Sequence, residues 1–463
     1  MFIVVWKHMT ITATASSSKK GSIILAYSKD FSTDQITLSG AQPSIIFGAK
    51  DTLTQYTSPL FMRKIARVAR MTKQSTFEIV LADWYELFLS LYTKEMFAEK
   101  FAYELANAAY EFEKYKKDTV KQTVSILVED KALLPHVKRG ILIAEELNAA
   151  RELVNIPGSH LTPEDLARHA LLAAKGIAGV KVEVLDSKKM KTLNMNAILA
   201  VGEISPNKPK FIIVEYAGRK KNEKPYVFVG KGVTFDTGGS NLKPGDHMNG
   251  MHMDMAGGAI AIHTVIALSK LKVKKNIIAL VPAVENRVTG DSYLPGDVIV
   301  GMSGKPIEIL NTDAEGRVIL SDALTYAKKY NPEVVIDLAT LTGAAVVALG
   351  SRVSAIFSNN DTLANELKTI GEATKNFMWP LPLYDEYKED VKGDLGGITN
   401  THNKMKRDGG AITGAVFLEH FVDGYTWAHI DIAPRMESIA GDNLASGATA
   451  EPLYALVSFV KNK

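Results

Sequence analysis

The chain has 463 residues, more than one core of ordinary size holds, so two domains are expected. Its 46% hydrophobic and 23% charged residues are those of a globular protein, not of a disordered or fibrous one. A net charge of +3 is too weak a bias for nucleic acid or an anionic membrane as main partner, and the absence of cysteine excludes a disulfide framework, a thiol nucleophile and a cysteine-based zinc site.

Only six residues precede Lys7, too few for a secretory signal, and no uncharged apolar run reaches the roughly 18 residues of a membrane span. A cytoplasmic location is expected, with Met1 or Met9 as the start. Residues 22–28 (SIILAYS), 43–48 (PSIIFG) and 121–129 (KQTVSILVE) read as strands. Residues 85–117 read as one long helix, with Phe97, Phe101, Leu105 and Ala109 at a spacing of four. Residues 1–135 are therefore expected to form a small α/β domain with a scaffold or assembly role.

An amphipathic helix over 138–154 stops at Asn155-Ile156-Pro157-Gly158. Another starts at Thr162-Pro163-Glu164-Asp165, with Thr at the N-cap, Pro at N1 and Asp at N3. Residues 136–165 thus form a helical connection to a larger domain, 166–463. There, 180–186, 210–217, 226–233, 276–284, 334–341, 352–358 and 426–433 read as β-branched strands, with helices such as 256–271 and 319–330 between them. The fold class is α/β: a smaller N-terminal α/β domain joined by a helix to a larger one whose central mixed sheet is flanked by helices.

Two stretches hold the candidate chemistry. YVFVGKGVTFDTGGSNLKPGDHMNGMHMD (226–254) carries Lys231, Asp236, Lys243 and Asp254; NTDAEGR (311–317) carries Asp313, Glu315 and Arg317. Charges gathered on glycine-rich loops at strand ends are costly to bury unless something binds there. Four carboxylates match two divalent ions about 3.5–4 Å apart, two bridging and one terminal on each ion. On an extended backbone Asp313 and Glu315 would share a side, and Gly232, Gly238 and Gly239 would let the chain approach the ions.

Lys231 would coordinate as a neutral amine, its pKa depressed by a dication and by burial. Lys243 would stay charged and polarise a carbonyl, and the Arg317 fork suits a carboxylate or bicarbonate. NTDAEGR also reads as a helix start capped by Thr312 or Asp313. No HExxH, GxSxG or phosphate-loop pattern occurs; His247 and His252 lie near Asp254, and His429 with Asp431 reads as a core pair.

VGKGVTFDTGG, MDMAGGA (253–259), LATLTGA (338–344), WAHIDIA (427–433) and above all NTDAEGR resemble the leucyl aminopeptidases of the M17 cytosol aminopeptidase family, over about 160–463. The resemblance implies a two-metal exopeptidase that releases N-terminal residues, leucine and other apolar ones first, by attack of water on the scissile carbonyl. It implies that Asp236 and Glu315 bridge the ions, Lys231 and Asp254 complete the looser site and Asp313 the tighter one. It further implies that Lys243 polarises the carbonyl, that Arg317 holds a bicarbonate acting as base, and that the Leu341 N–H donates to the oxyanion. Met251, Thr340 and Gly343 would line the first side-chain pocket. Mn²⁺ or Zn²⁺, with Mg²⁺ or Co²⁺ as alternatives, peptide substrates and a homo-hexamer are implied as well. The sequence departs from the family at His252, where a basic residue is usual, and at Val318, where leucine is. The alternatives are a two-metal phosphoesterase and a DNA-binding regulator on the same scaffold.

Overall fold

The structure, a computed structural model, describes residues 9–15, 22–30, 34–37, 43–49, 53–72, 74–117, 120–219, 223–395, 397–404, 406 and 408–463. The first eight residues, on which the expected start of the chain rests, lie outside them. Two units emerge, Met1–Asn148 with Ser438–Gly447, and Ala149–Glu437 with Ala448–Lys463.

The first unit is built on strands β1 (Thr10–Thr14), β2 (Ile23–Ser28), β3 (Gln35–Thr37), β4 (Ser44–Gly48), β5 (Thr76–Val80) and β6 (Thr123–Leu127), in the order β1-β6-β5-β2-β4-β3. Every pair is parallel except β3 with β4. The long helix expected over 85–117 is two helices, Leu81–Phe88 and Lys94–Ala109. Thr93 starts the second by accepting the Met96 N–H in its side chain, a local cap that outcompetes continuation of the first helix. Phe97, Phe101, Leu105 and Ala109 are buried as the spacing requires.

The second unit contains β7 (Val180–Leu185), β8 (Lys210–Ala217), β9 (Tyr226–Gly230), β10 (Gly232–Asp236), β11 (Asn276–Asn286), β12 (Val298–Val300), β13 (Pro306–Glu308), β14 (Val334–Ala339), β15 (Ser354–Ser358), β16 (Met378–Pro380), β17 (Ile398–Thr399) and β18 (Trp427–Asp431). The large sheet runs β16-β15-β18-β14-β9-β11-β8-β7, with β10 beside β11; β12, β13 and β17 form a small second sheet. It is mixed, as expected: β8 is antiparallel to β7 and β11, and β15 to β18, around a parallel centre.

Every residue of β9 is buried, so helices cover both faces of the sheet's centre. Val227, Val229, Ile278 and Leu280 share one core with Ile198 and Leu320 of the helices Asn196–Gly202 and Glu315–Ala327. Helix Ala256–Lys270, buried from Ala256 to Ser269, packs on β9, β11 and β14. It belongs to Gly245–Lys270, the one helical run among the described residues long and apolar enough to cross a membrane. The start at Thr162 forms as read: its Oγ1 accepts the Asp165 N–H at 3.2 Å, while Asp165 accepts the Thr162 N–H at 3.0 Å.

The strand expected over 226–233 is interrupted at Lys231. Its N–H donates to the Leu338 carbonyl at 2.9 Å and its carbonyl accepts the Gly258 N–H at 2.8 Å, so the helix following Asp254 is stitched into the break. Beyond the break β10 leaves β14 and follows β11 alone, carrying Asp236 to the carboxyl end of the sheet.

This crossing needs glycine. A Cβ on Gly257 would stand 2.0 Å from the Leu338 carbonyl oxygen and 3.0 Å from the Lys231 nitrogen, both backbone atoms that cannot swing aside. Gly257→Ala is expected to cost about 2–3 kcal/mol or more. Gly290→Ala, where a Cβ meets nothing within 4 Å, serves as the control. Urea midpoints of the two variants check this, and equal midpoints would remove the need for close approach.

Candidate metal centre

Glycines at positive φ, Gly238 at 89° and Gly239 at 64°, turn the chain back directly after Asp236. In this turn the Gly238 N–H donates to Asp236 Oδ1 at 2.8 Å, and Asn286 Nδ2 reaches the same oxygen at 2.8 Å. Asp236 Oδ2 faces the Lys243 ammonium at 2.7 Å, and that ammonium lies 2.7 Å from Asp313 Oδ1 as well.

The second stretch departs from the extended backbone expected for it. Asn311 Oδ1 accepts the Asp313 N–H at 2.8 Å and sets a 3-10 turn, Thr312–Ala314, that runs into helix Glu315–Ala327. The cap is therefore Asn311, not Thr312 or Asp313. Thr312 Oγ1 donates instead to the Gly238 carbonyl at 2.7 Å, fastening the two stretches together. Asp313 and Glu315 converge because of this turn.

Lys231 completes the cluster from below. Its ammonium lies 2.8 Å from Asp254 Oδ1, 2.8 Å from Glu315 Oε1 and 3.1 Å from the Thr340 carbonyl. Thr340 Oγ1 donates to Asp254 Oδ1 at 2.6 Å, so this expected pocket residue also orients a carboxylate. Asp236, Asp313 and Glu315 offer oxygens that all lie within 4.8 Å of one another. Asp254 Oδ2 is buried and has no hydrogen-bond partner among the described residues. Hard oxygen donors gathered so closely, with one oxygen left open, fit divalent cations.

Burial sets the electrostatics. It pushes the Glu315 carboxyl up to about 8 and that of Asp254 to about 6, with Asp236 adding to both shifts and Lys231 opposing them. Asp313 is raised by burial and Asp236 too. For Lys231, burial works against the charge, but Asp254, Glu315 and Asp236 outweigh it and hold the ammonium above its usual range. The expected depression is thus not produced by its protein neighbours; a neutral amine requires a dication beside it.

Protons and ions compete for these carboxylates, so Mn²⁺ affinity is expected to rise from pH 6 to pH 8, with protons released on binding. Calorimetry in two buffers of different ionisation enthalpy measures both, and a flat profile would contradict the shared donor set.

Arg317 sits two residues beyond Glu315, buried, with Nη1 donating to the Asn400 carbonyl at 2.9 Å and Nε without a partner among the described residues. Burial lowers its pKa to about 10, so it remains a cation at neutral pH. Leu341 points elsewhere: its N–H donates to Asp431 Oδ1 at 3.1 Å and is not open to an oxyanion in this arrangement. Met251 lies half-buried in the turn Met251–Met253 just ahead of Asp254, and Gly343 is exposed at the start of helix Gly343–Leu349. His252 is half-buried, with Glu437 as its charged neighbour; His247 lies in the short 3-10 turn Gly245–Met248.

His429 is fully buried, but its partner is Asp337 at 2.6 Å, not Asp431. Asp337 stands opposite it on β14 in the parallel register, and only the fold reveals that pairing. The residues that sequence reading missed are neutral anchors: Asn286, Asn311, Asn400 and Tyr293. Asn286 follows Glu285 at the end of a strand that is apolar from Ile277 to Val284, but as a neutral residue it carries no charge of its own to mark it.

Carboxylates and lysines interlocked at the carboxyl edge of a helix-covered mixed sheet define an α/β protein whose acidic cluster could hold a divalent cation. This chain belongs to the cytosol aminopeptidase family, whose catalytic-domain model matches residues 148–457. It is 47% identical over 325 residues to a probable cytosol aminopeptidase of Chlorobaculum parvum, covering 70% of this chain and 64% of that relative's length. To one of Saccharophagus degradans it is 41% identical over 379 residues, covering 80% and 74%. Among solved structures, a mutant tomato leucine aminopeptidase superposes with a TM-score of 0.86 at 28% identity, over 98% of this chain and 97% of that one. The bottromycin maturation enzyme BotP in complex with Mn gives 0.85 at 26% identity, over 96% and 99%.

Proposed function

We propose that the protein is a two-metal aminopeptidase that releases N-terminal residues, preferentially leucine and other apolar ones, from peptides. The observation that carries this is the cluster, buried except for partly exposed Lys243 and Asp313, in which Lys231 joins Asp254 to Glu315 while Lys243 joins Asp236 to Asp313, in a chain of this family. Asp236 and Glu315 would bridge two ions, Lys231 and Asp254 would complete one site and Asp313 the other. Two divalent ions would polarise the scissile carbonyl and make water acidic enough to supply the nucleophile.

The remaining steps fall to side chains. Lys243, held above its ordinary pKa against burial by Asp236, Glu315 and Asp313, keeps a fixed positive charge for the carbonyl oxygen as it becomes an oxyanion. Arg317 offers a buried guanidinium with an open Nε, suited to holding bicarbonate as the base. Met251, Thr340 and Gly343 would border the first side-chain pocket, Met251 supplying an adaptable apolar wall. With its N–H committed to Asp431, Leu341 would serve the oxyanion only after exchanging that partner.

Mn²⁺ heads the candidate ions because BotP was solved with Mn, with Zn²⁺, Mg²⁺ and Co²⁺ as alternatives. A homo-hexamer, a cytoplasmic location, and an assembly role for residues 1–135 ahead of the helical connection 136–165 and a catalytic domain 166–463 belong to the same proposal. No observation favours the phosphoesterase or the DNA-binding regulator. Rates on leucine p-nitroanilide and p-nitrophenyl phosphate with added Mn²⁺ test the reading: the anilide should be cleaved and the phosphate ester spared, and cleavage of the phosphate ester alone would overturn it.

A further inference from the structure

We propose that Asn286 is a positioning residue of the metal centre: a neutral donor that ties the two carboxylate-bearing stretches together and leaves Asp236 Oδ2 as the oxygen presented to an ion. The inference rests on the two-metal reading above.

Asn286 closes β11 directly beside Asp236 in the parallel register, and its side chain is fully buried. One nitrogen, Nδ2, reaches Asp236 Oδ1 at 2.8 Å and the Thr312 carbonyl at 3.1 Å. Both partners are acceptors, so the amide can present only its NH₂ there. The main chain is fixed too, because the Asn286 carbonyl accepts the Thr237 N–H at 2.9 Å and Thr237 Oγ1 at 2.8 Å. Tyr293 adds a second donor to the Thr312 carbonyl at 2.8 Å.

The chemistry of the amide suits this position. With Oδ1 holding the Gly238 N–H and Asn286 Nδ2, Asp236 is rotated so that Oδ2 faces the cluster, 2.7 Å from the Lys243 ammonium. A lysine in place of Asn286 would neutralise Asp236 and compete with an ion; an aspartate would repel it. Asparagine orients the carboxylate without changing its charge. Its own Oδ1 is buried with no partner among the described residues, an unfavourable feature that an apolar side chain of similar size would avoid.

Calorimetric Mn²⁺ titrations of the metal-stripped full chain provide the test, in a double-mutant cycle with Asp236. Asn286→Ala is expected to weaken Mn²⁺ binding by about 10–100-fold, the usual cost of losing a group that orients a ligand, and to weaken both affinities because Asp236 would serve both ions. In an Asp236→Ala background the same change should shift the remaining affinity less than about twofold, since the carboxylate it orients is gone. Asn286→Ser, whose short hydroxyl cannot span both acceptors, should behave like Asn286→Ala, and circular dichroism establishes that each variant is folded. Wild-type affinity in both Asn286 variants overturns the inference, as does an equal loss in both backgrounds, which marks a general structural effect. A wild-type chain that takes up no Mn²⁺ overturns the metal reading, and the inference falls with it.

Discussion

Glu315→Ala should reduce hydrolysis of leucine p-nitroanilide by at least about 1,000-fold, equivalent to about 4 kcal/mol of barrier, and lower the bound-metal content. The carboxylate stands at the first position of helix Glu315–Ala327, buried, with Lys231 at 2.8 Å and the Asp236 and Asp313 oxygens within 4.8 Å. A proposed bridging ligand serves both ions, so its loss cannot be confined to one of them. The fold should survive, because burial and Asp236 already make the ionised carboxylate unfavourable there. In metal-free protein the melting temperature should therefore change little. Full metal content with an unchanged rate would sink the assignment.

Lys243→Ala should lower turnover by about 100–1,000-fold, the usual cost of removing one group that stabilises an oxyanion, while both ions remain bound. The sign of its effect on metal affinity distinguishes the two lysines. The Lys243 ammonium lies 2.7 Å from both Asp236 Oδ2 and Asp313 Oδ1, so removing it relieves a competing cation and should leave Mn²⁺ affinity unchanged or tighter. Lys231 would instead be a ligand, and its loss should weaken one ion. Paired measurements of kcat and Mn²⁺ affinity decide the matter; if affinity falls together with turnover in Lys243→Ala, that residue holds metal and does not act on the carbonyl.

Composition and periodicity carried the α/β class and most strands of the second unit, because strands buried on both faces leave near-continuous β-branched runs such as 226–230 and 276–284. The start at Thr162 was legible because its signal is local: the capping side chains lie three residues apart. What escaped depends on partners distant in sequence. The break at Lys231 needs Leu338 and Gly258, the partner of His429 is Asp337 on the next strand, and the convergence of Asp313 with Glu315 depends on a turn set by Asn311. Charged members of the cluster were visible because charge between glycines is conspicuous. Asn286, Asn400 and Tyr293 were not, since neutral polar groups carry no such signature until the groups they hold are in place.

The most direct test of the two-metal aminopeptidase is metal content set beside activity on one preparation. The purified chain should contain two divalent ions per subunit, lose leucine p-nitroanilide hydrolysis when a chelator strips them, and recover it as Mn²⁺ is restored to two equivalents. A metal-free chain that cleaves the anilide undiminished, or a fully loaded one that does not cleave it, would contradict that function.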